Sequence, residues 1–202
     1  MAFKCTRWRI AMVNVGFIGE GKTETMILNS ESFLLFLKKV NIEIVGVFDA
    51  GGEGNLKVES KKIISFFEIL SDRNADFVFL LTDLEEDPCI TETKTKILKF
   101  SKKQQIEIIA VKTIESWFLA DSESLSEIFK RRYHFENPEN IEGKPFDLIR
   151  DEFVKNTGRG ISKDRLARKM LNHGFSVENA AKHDNCNSAK YFINKLKEIS
   201  NQ

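Results

Sequence analysis

Ile10-Ala11-Met12-Val13-Asn14-Val15-Gly16-Phe17-Ile18-Gly19-Glu20-Gly21-Lys22-Thr23-Glu24-Thr25-Met26-Ile27-Leu28 is the stretch from which the rest of the chain is read. An apolar run ends in a glycine turn, and an amphipathic run begins at once. That succession is a strand, a tight turn and a helix start. The turn carries two carboxylates, a lysine and a threonine within Gly19 to Glu24. No other stretch concentrates so much chemistry in so few residues.

Working outward, Ala11 to Ile18 is the first expected strand and Thr23 to Lys39 the first helix, with Met26, Ile27, Phe33, Leu34 and Leu37 at roughly helical spacing. Met1 to Arg9 reads as an irregular lead-in. Ile42 to Phe48 is a second strand, ending in a turn at Asp49-Ala50-Gly51-Gly52-Glu53-Gly54. Leu56 to Leu70 follows as a helix. Phe77 to Leu81 is unbroken and apolar, as strands covered on both faces are. It ends at Thr82-Asp83-Leu84-Glu85. A lysine-rich helix over Thr91 to Gln104 and a strand over Ile106 to Val111 complete the alternation. Strands alternating with helices predict an α/β domain with a mostly parallel four-stranded sheet, here residues 10–122. Residues 123–202 predict a helical appendage packed on it. Its helices are expected over Leu125 to Arg132, Phe146 to Val154 and Ser162 to Asn172, with a last one capped by Ser188.

The totals exclude several classes. A chain of 202 residues is one domain, or one with a small appendage. A net charge of +1 gives no global attraction for nucleic acid, so any electrostatic footprint is local. Cys5, Cys89 and Cys186 are far apart and form no CxxC, which argues against a disulfide framework or a zinc ribbon and for reduced thiols in the cytoplasm. No apolar run is long enough to span a membrane, and the N-terminus lacks the apolar core of a signal peptide.

Ligands of open α/β sheets bind at the carboxyl ends of the strands. Those ends carry Glu20, Asp49, Asp83 with Glu85, and Glu115. Acids arriving from different strands at one edge can converge on a hard cation such as Mg²⁺, which takes oxygen ligands. Each acid alone has the plainer role of capping the next helix. In an extended segment Asp83 and Glu85 would point the same way.

The glycine turn supports two interpretations. Gly16 to Thr23 satisfies G-x-x-x-x-G-K-[ST], the P-loop pattern of nucleotide phosphatases and kinases. Lys22 and backbone amides would then hold phosphates, with Thr23 and Asp83 on Mg²⁺. Alternatively, an apolar strand ending in Glu20-Gly21-Lys22-Thr23-Glu24, with Asp83-Leu84-Glu85 after a buried strand, resembles the Toprim family, with Glu in place of the usual second Asp. Gly51-Gly52-Glu53-Gly54-Asn55-Leu56, Glu115-Ser116-Trp117-Phe118-Leu119-Ala120-Asp121, Ser162-Lys163 and Cys186-Asn187-Ser188-Ala189-Lys190-Tyr191-Phe192 extend the likeness to small bacterial Toprim-like proteins linked to phage defence and related to OLD-type nucleases.

That resemblance implies a Rossmann-like Toprim fold and a nuclease cleaving phosphodiesters of DNA or RNA with Mg²⁺ or Mn²⁺. It implies metal ligands at Glu20, Asp83 and Glu85, a second metal completed by Glu24 or Glu115, and acid–base work as an alternative role for Glu20. Lys22 would contact the phosphate or offset the acids. OLD-type nucleases often work beside an ATPase, which makes a separate ATPase a candidate partner. Arg159, Lys163, Arg165, Arg168 and Lys169 form a local basic cluster suited to phosphates, or a solvated helix face; Lys130-Arg131-Arg132 is a second. Trp117 and Phe118 read as core, and His183 to Cys186 is too compact for a zinc site alone. A Toprim-shaped binding module with an idle metal site is the non-enzymatic alternative.

Overall fold

A computed structural model of the chain describes residues 12–52, 54–100 and 104–201. The expected lead-in over Met1 to Arg9 and the glutamate of the second-strand turn, Glu53, lie outside the described residues. Strands β1 (Val13–Gly19), β2 (Ile42–Asp49), β3 (Phe77–Asp83) and β4 (Gln104–Ala110) form one sheet in the order β2-β1-β3-β4. All its pairings are parallel. The α/β architecture expected from the alternation is the one adopted.

The pleat sorts the core. Val15 and Phe17 of β1, Phe77, Phe79 and Leu81 of β3, and Ile108 and Ala110 of β4 face one side. Ile18, Val78, Leu80 and Ile109 face the other. The first side is covered by α1 (Lys22–Leu28), α2 (Glu31–Lys39) and the C-terminal helices; the second by α3 (Lys61–Asp72) and the chain around α4 (Ile90–Lys96). The C-terminal region comprises α5 (Glu115–Ala120), α6 (Ser122–Phe129), α7 (Pro145–Thr157), α8 (Lys163–Asn172), α9 (Val177–Lys182) and α10 (Asn187–Ile199). Phe192 of α10 sits among Phe17, Phe33, Phe79 and Trp117, with ring centroids 5.6–6.3 Å away. One hydrophobic core therefore spans both expected segments, and truncating Phe192 to Ala costs about 3–5 kcal/mol.

Several boundaries differ from the sequence expectation. The helix expected over Thr23 to Lys39 is two, because Ser30 accepts from the Phe33 amide (3.3 Å) and starts α2 afresh. The helix expected from Leu56 begins at Lys61, where Ser60 caps it; Asn55–Lys57 is a single 3-10 turn. The helix expected to reach Gln104 stops at Lys96, and β4 already starts at Gln104. Cys186, not Ser188, is the N-cap of α10; Ser188 lies in the first turn and bonds elsewhere. No helix among the described residues is long and apolar enough to cross a membrane.

Candidate functional site

From β1 the chain crosses to β2 on one side and then to β3 on the other, so the β1–β3 carboxyl edge is the topological switch point where such sheets bind ligands. Gly19 pairs with Asp49 and Leu81, and Asp83 with Ala110, which levels the strand ends. A cleft of about 420 Å³ opens there. Glu20, Lys22 and Glu24 line it from the β1–α1 turn, Asp83 and Glu85 from the end of β3, Glu115 from α5, and Lys163 and Asp164 from the start of α8. All the acids expected at a metal site thus border one cavity.

Glu20 is the most firmly held. Its carboxylate accepts from the Asp83 amide (3.0 Å), the Gly54 amide (2.9 Å) and the Thr82 hydroxyl. Gly54 presents its N–H from a left-handed backbone (φ 77°), which its lack of Cβ permits. Gly54 belongs to the glycine turn read after the second strand, but neither it nor Thr82 was expected to hold Glu20; for Thr82 the Thr-Asp order after a buried strand is the signal. Glu24 folds back to accept from the Gly21 amide at 3.0 Å. A Cβ on Gly19 would lie 2.8 Å from the Glu24 Cβ, so the glycine turn makes room for a carboxylate. Burial raises the Glu24 pKa to about 7, with Glu20 and Glu115 adding to the rise.

Asp83 accepts from the Ile114 amide at 2.8 Å. Burial, then the nearby charges of Glu24, Glu115 and Glu20, push its pKa well above the carboxylate range. Glu115 is 1 % exposed, and one of its carboxylate oxygens has no partner. Its other oxygen is 3.3 Å from the Lys163 ammonium. Burial works against that ammonium, yet Glu115, Asp83 and Glu24 hold the Lys163 pKa above its ordinary value. Lys22 is exposed at the mouth, 3.9 Å from Asp164. Asp49 lines the cleft but accepts from the Gly51 amide at 2.7 Å, capping its own turn.

Two sequence expectations need correction. Glu85 does not reach the cleft by strand alternation: β3 ends at Asp83, and Glu85 turns in left-handed backbone (φ 53°) with its amide on the Lys112 carbonyl (2.8 Å). The P-loop pattern is not a loop either. Gly16 to Gly19 are paired on both sides within β1, so the first half of the pattern is strand and not a phosphate cradle.

Of the five basic residues, Lys163 alone lines the cleft; Arg159, Arg165 and Arg168 are exposed and Lys169 half-buried. Trp117 is buried as expected; its indole donates to Ser188 at 2.7 Å, and Ser188 donates to Glu139. Glu139 also caps the amides of Asn187 (2.9 Å) and Ser188 (2.8 Å). Asp121 accepts from Ser124 and Ser176, capping α6 and tying in α9. The late Cys-x-Ser-x-x-x-Phe segment and Asp121 therefore anchor α5, which carries Glu115.

No three acidic, histidine or cysteine side chains among the described residues are placed to hold a metal ion as they stand. Glu20, Glu24 and Asp83 spend oxygens on backbone amides instead. The donor chemistry, all carboxylate with one buried oxygen unpartnered, suits a hard cation. No protein-family model matches the chain, no curated protein matches it, and no solved structure matches it.

Proposed function

We propose that this chain is a divalent-metal-dependent phosphodiesterase acting on DNA or RNA, as its Toprim-like motifs imply. The observation that carries the proposal is the cleft itself. Glu20, Glu24, Asp83 and Glu115 are buried around one switch-point cavity, with one oxygen of Glu115 left unpartnered. Buried like charges are costly unless a cation joins them. Lys163 alone offsets only part of that charge.

Mg²⁺ or Mn²⁺ held by Glu20, Asp83, Glu24 and Glu115, with Glu85 at the edge, would neutralise phosphate charge and activate water. Glu20 is fixed in place by its three donors. Lys163, held protonated by the acids, places a positive charge where a phosphate enters. Lys22 is exposed at the mouth of the cleft and available to the flanking backbone.

A second interpretation, a nucleic-acid-binding module with an idle metal site, is favoured by the amide-bonded carboxylates. Single- and double-stranded DNA and RNA incubated with Mn²⁺ separate the two. Cleavage by wild type and none by Asp83→Asn is the expected result. Salt-sensitive binding by both proteins with cleavage by neither would favour the module.

A further inference from the structure

A second cavity, of about 310 Å³, lies between α4 and α10 beside the end of β4. Ile90, Ile109 and Val111 give it apolar walls, and Lys94, Asn187 and Tyr191 border it. Ile90 and Tyr191 are each 39 % exposed, unusual for large side chains beside a core. The Lys94 ammonium lies 5.1 Å from the centre of the Tyr191 ring, and that of Lys195 lies 5.7 Å from it. Among the described residues no acid lines the cavity, and Lys195 is paired with Glu198 at 2.6 Å, which leaves Lys94 as the ammonium at its border. The α10 amides next to it are already capped by Glu139, so the helix start is not the attraction.

An exposed aromatic ring, apolar walls and an ammonium group are what an unpaired base and its phosphate need. The Asn187 carboxamide can donate to and accept from a base edge. A short segment of chain links the cavity to the cleft: Val111 lines the one, Ile114 and Glu115 the other, and the Lys112 carbonyl between them accepts from Glu85. We propose that this pocket seats one unpaired base of a single-stranded nucleic acid whose backbone runs into the acid cleft, an inference that rests on the phosphodiesterase reading. Duplex bases stay stacked and paired, so the pocket makes the substrate single-stranded or locally opened.

Fluorescence anisotropy tests it with a labelled oligothymidine of about 15 nucleotides, near the upper end of single-strand site sizes. Chelator keeps cleavage silent, and a duplex of equal length runs beside it. Tyr191→Ala is expected to weaken single-strand binding about tenfold, the loss of one stacked base, while Tyr191→Trp retains it. Duplex binding and the thermal midpoint stay unchanged. Asp83→Asn binds the single strand at least as tightly as wild type while losing cleavage. An oligonucleotide carrying 5-iododeoxyuridine should cross-link to Tyr191 or its neighbours. Equal single-strand binding by wild type and Tyr191→Ala, with no such cross-link, overturns the pocket and leaves it to an apolar side chain of a protein partner. In that case cleavage lost only in Asp83→Asn keeps the phosphodiesterase standing without it. Wild type that neither binds nor cleaves nucleic acid removes both.

Discussion

Asp83 and Asp87 stand at the two ends of the turn that follows β3, and the fold treats them in opposite ways. Asp87 takes an ammonium on each oxygen, Lys96 at 2.7 Å and Lys57 at 3.4 Å, and a hydroxyl from Thr93 at 2.8 Å. The hydrogen bonds from Lys96 and Thr93 hold its pKa down to about 2. Asp83 is bonded to one backbone amide, and burial among Glu24, Glu115 and Glu20 pushes its pKa the other way. Lysines are plentiful in this chain, yet among the described residues they neutralise Asp87 and leave the cleft short of positive charge. Asp87 is paired with ammonium groups, whereas Glu20, Glu24 and Asp83 in the cleft are bonded to backbone amides.

The largest expected effect separates the two aspartates directly. Asp83→Asn or Glu20→Gln should lower Mn²⁺-dependent cleavage by at least the ~10²–10³-fold that follows loss of one group stabilising transition-state charge. Asp87→Asn should leave the rate unchanged. Equal losses at Asp83 and Asp87 would erase the distinction.

Next in size is the pH dependence of stability, which has opposite signs at the two clusters. Glu24 has a raised pKa, so its contribution is fully present below its ordinary 4.5 and is lost as pH rises through about 7. That loss amounts to up to about 3 kcal/mol. Asp87 has a lowered pKa, so its contribution is present above its ordinary 3.8 and is lost as pH falls through about 2. In chelator, urea midpoints of wild type should fall from pH 5 to pH 8, and Glu24→Gln should flatten that slope. Asp87→Asn should change only the acid limb.

A smaller effect sharpens the account of Glu20. Thr82→Val removes the buried hydroxyl that donates to it. Metal affinity should fall ~10–100-fold, as when partners of metal ligands are removed, while the Asp87 cluster keeps its acid limb. Unaltered affinity would mean that the two amides suffice.

How much was legible follows from the same physics. A strand buried on both faces is an unbroken apolar run, so β3 could be read directly, while the edge strands β2 and β4, interrupted by Glu43 and Glu107, were legible from their alternation with helices. Helix α5 could not: Glu115 to Ala120 is buried on every side, and a helix without a polar face shows no period. Residues 97–100, expected as helix, lead instead into β4, with the Leu98 amide on the Leu56 carbonyl. Strand alternation could not place Glu85, because alternation lasts only as long as the strand. The basic cluster on α8 was visible as composition, but rotation of about 100° per residue lets Lys163 face the cleft and turns Arg165 to solvent. The glycines of the β1–α1 turn looked like a phosphate cradle, whereas Gly19 admits the Glu24 side chain.

The most direct measurement is the thermal midpoint at pH 7.5 with and without Mn²⁺, for wild type, Asp83→Asn and Asp87→Asn. Saturation at about a hundred times Kd stabilises a protein by about 2.7 kcal/mol. For a chain of this size that is a rise of roughly 5–10 °C. Wild type and Asp87→Asn should both show the rise, and Asp83→Asn should not. The same rise in Asp83→Asn, or none in wild type, would contradict the claim that the cleft at the end of β3 is built for a cation.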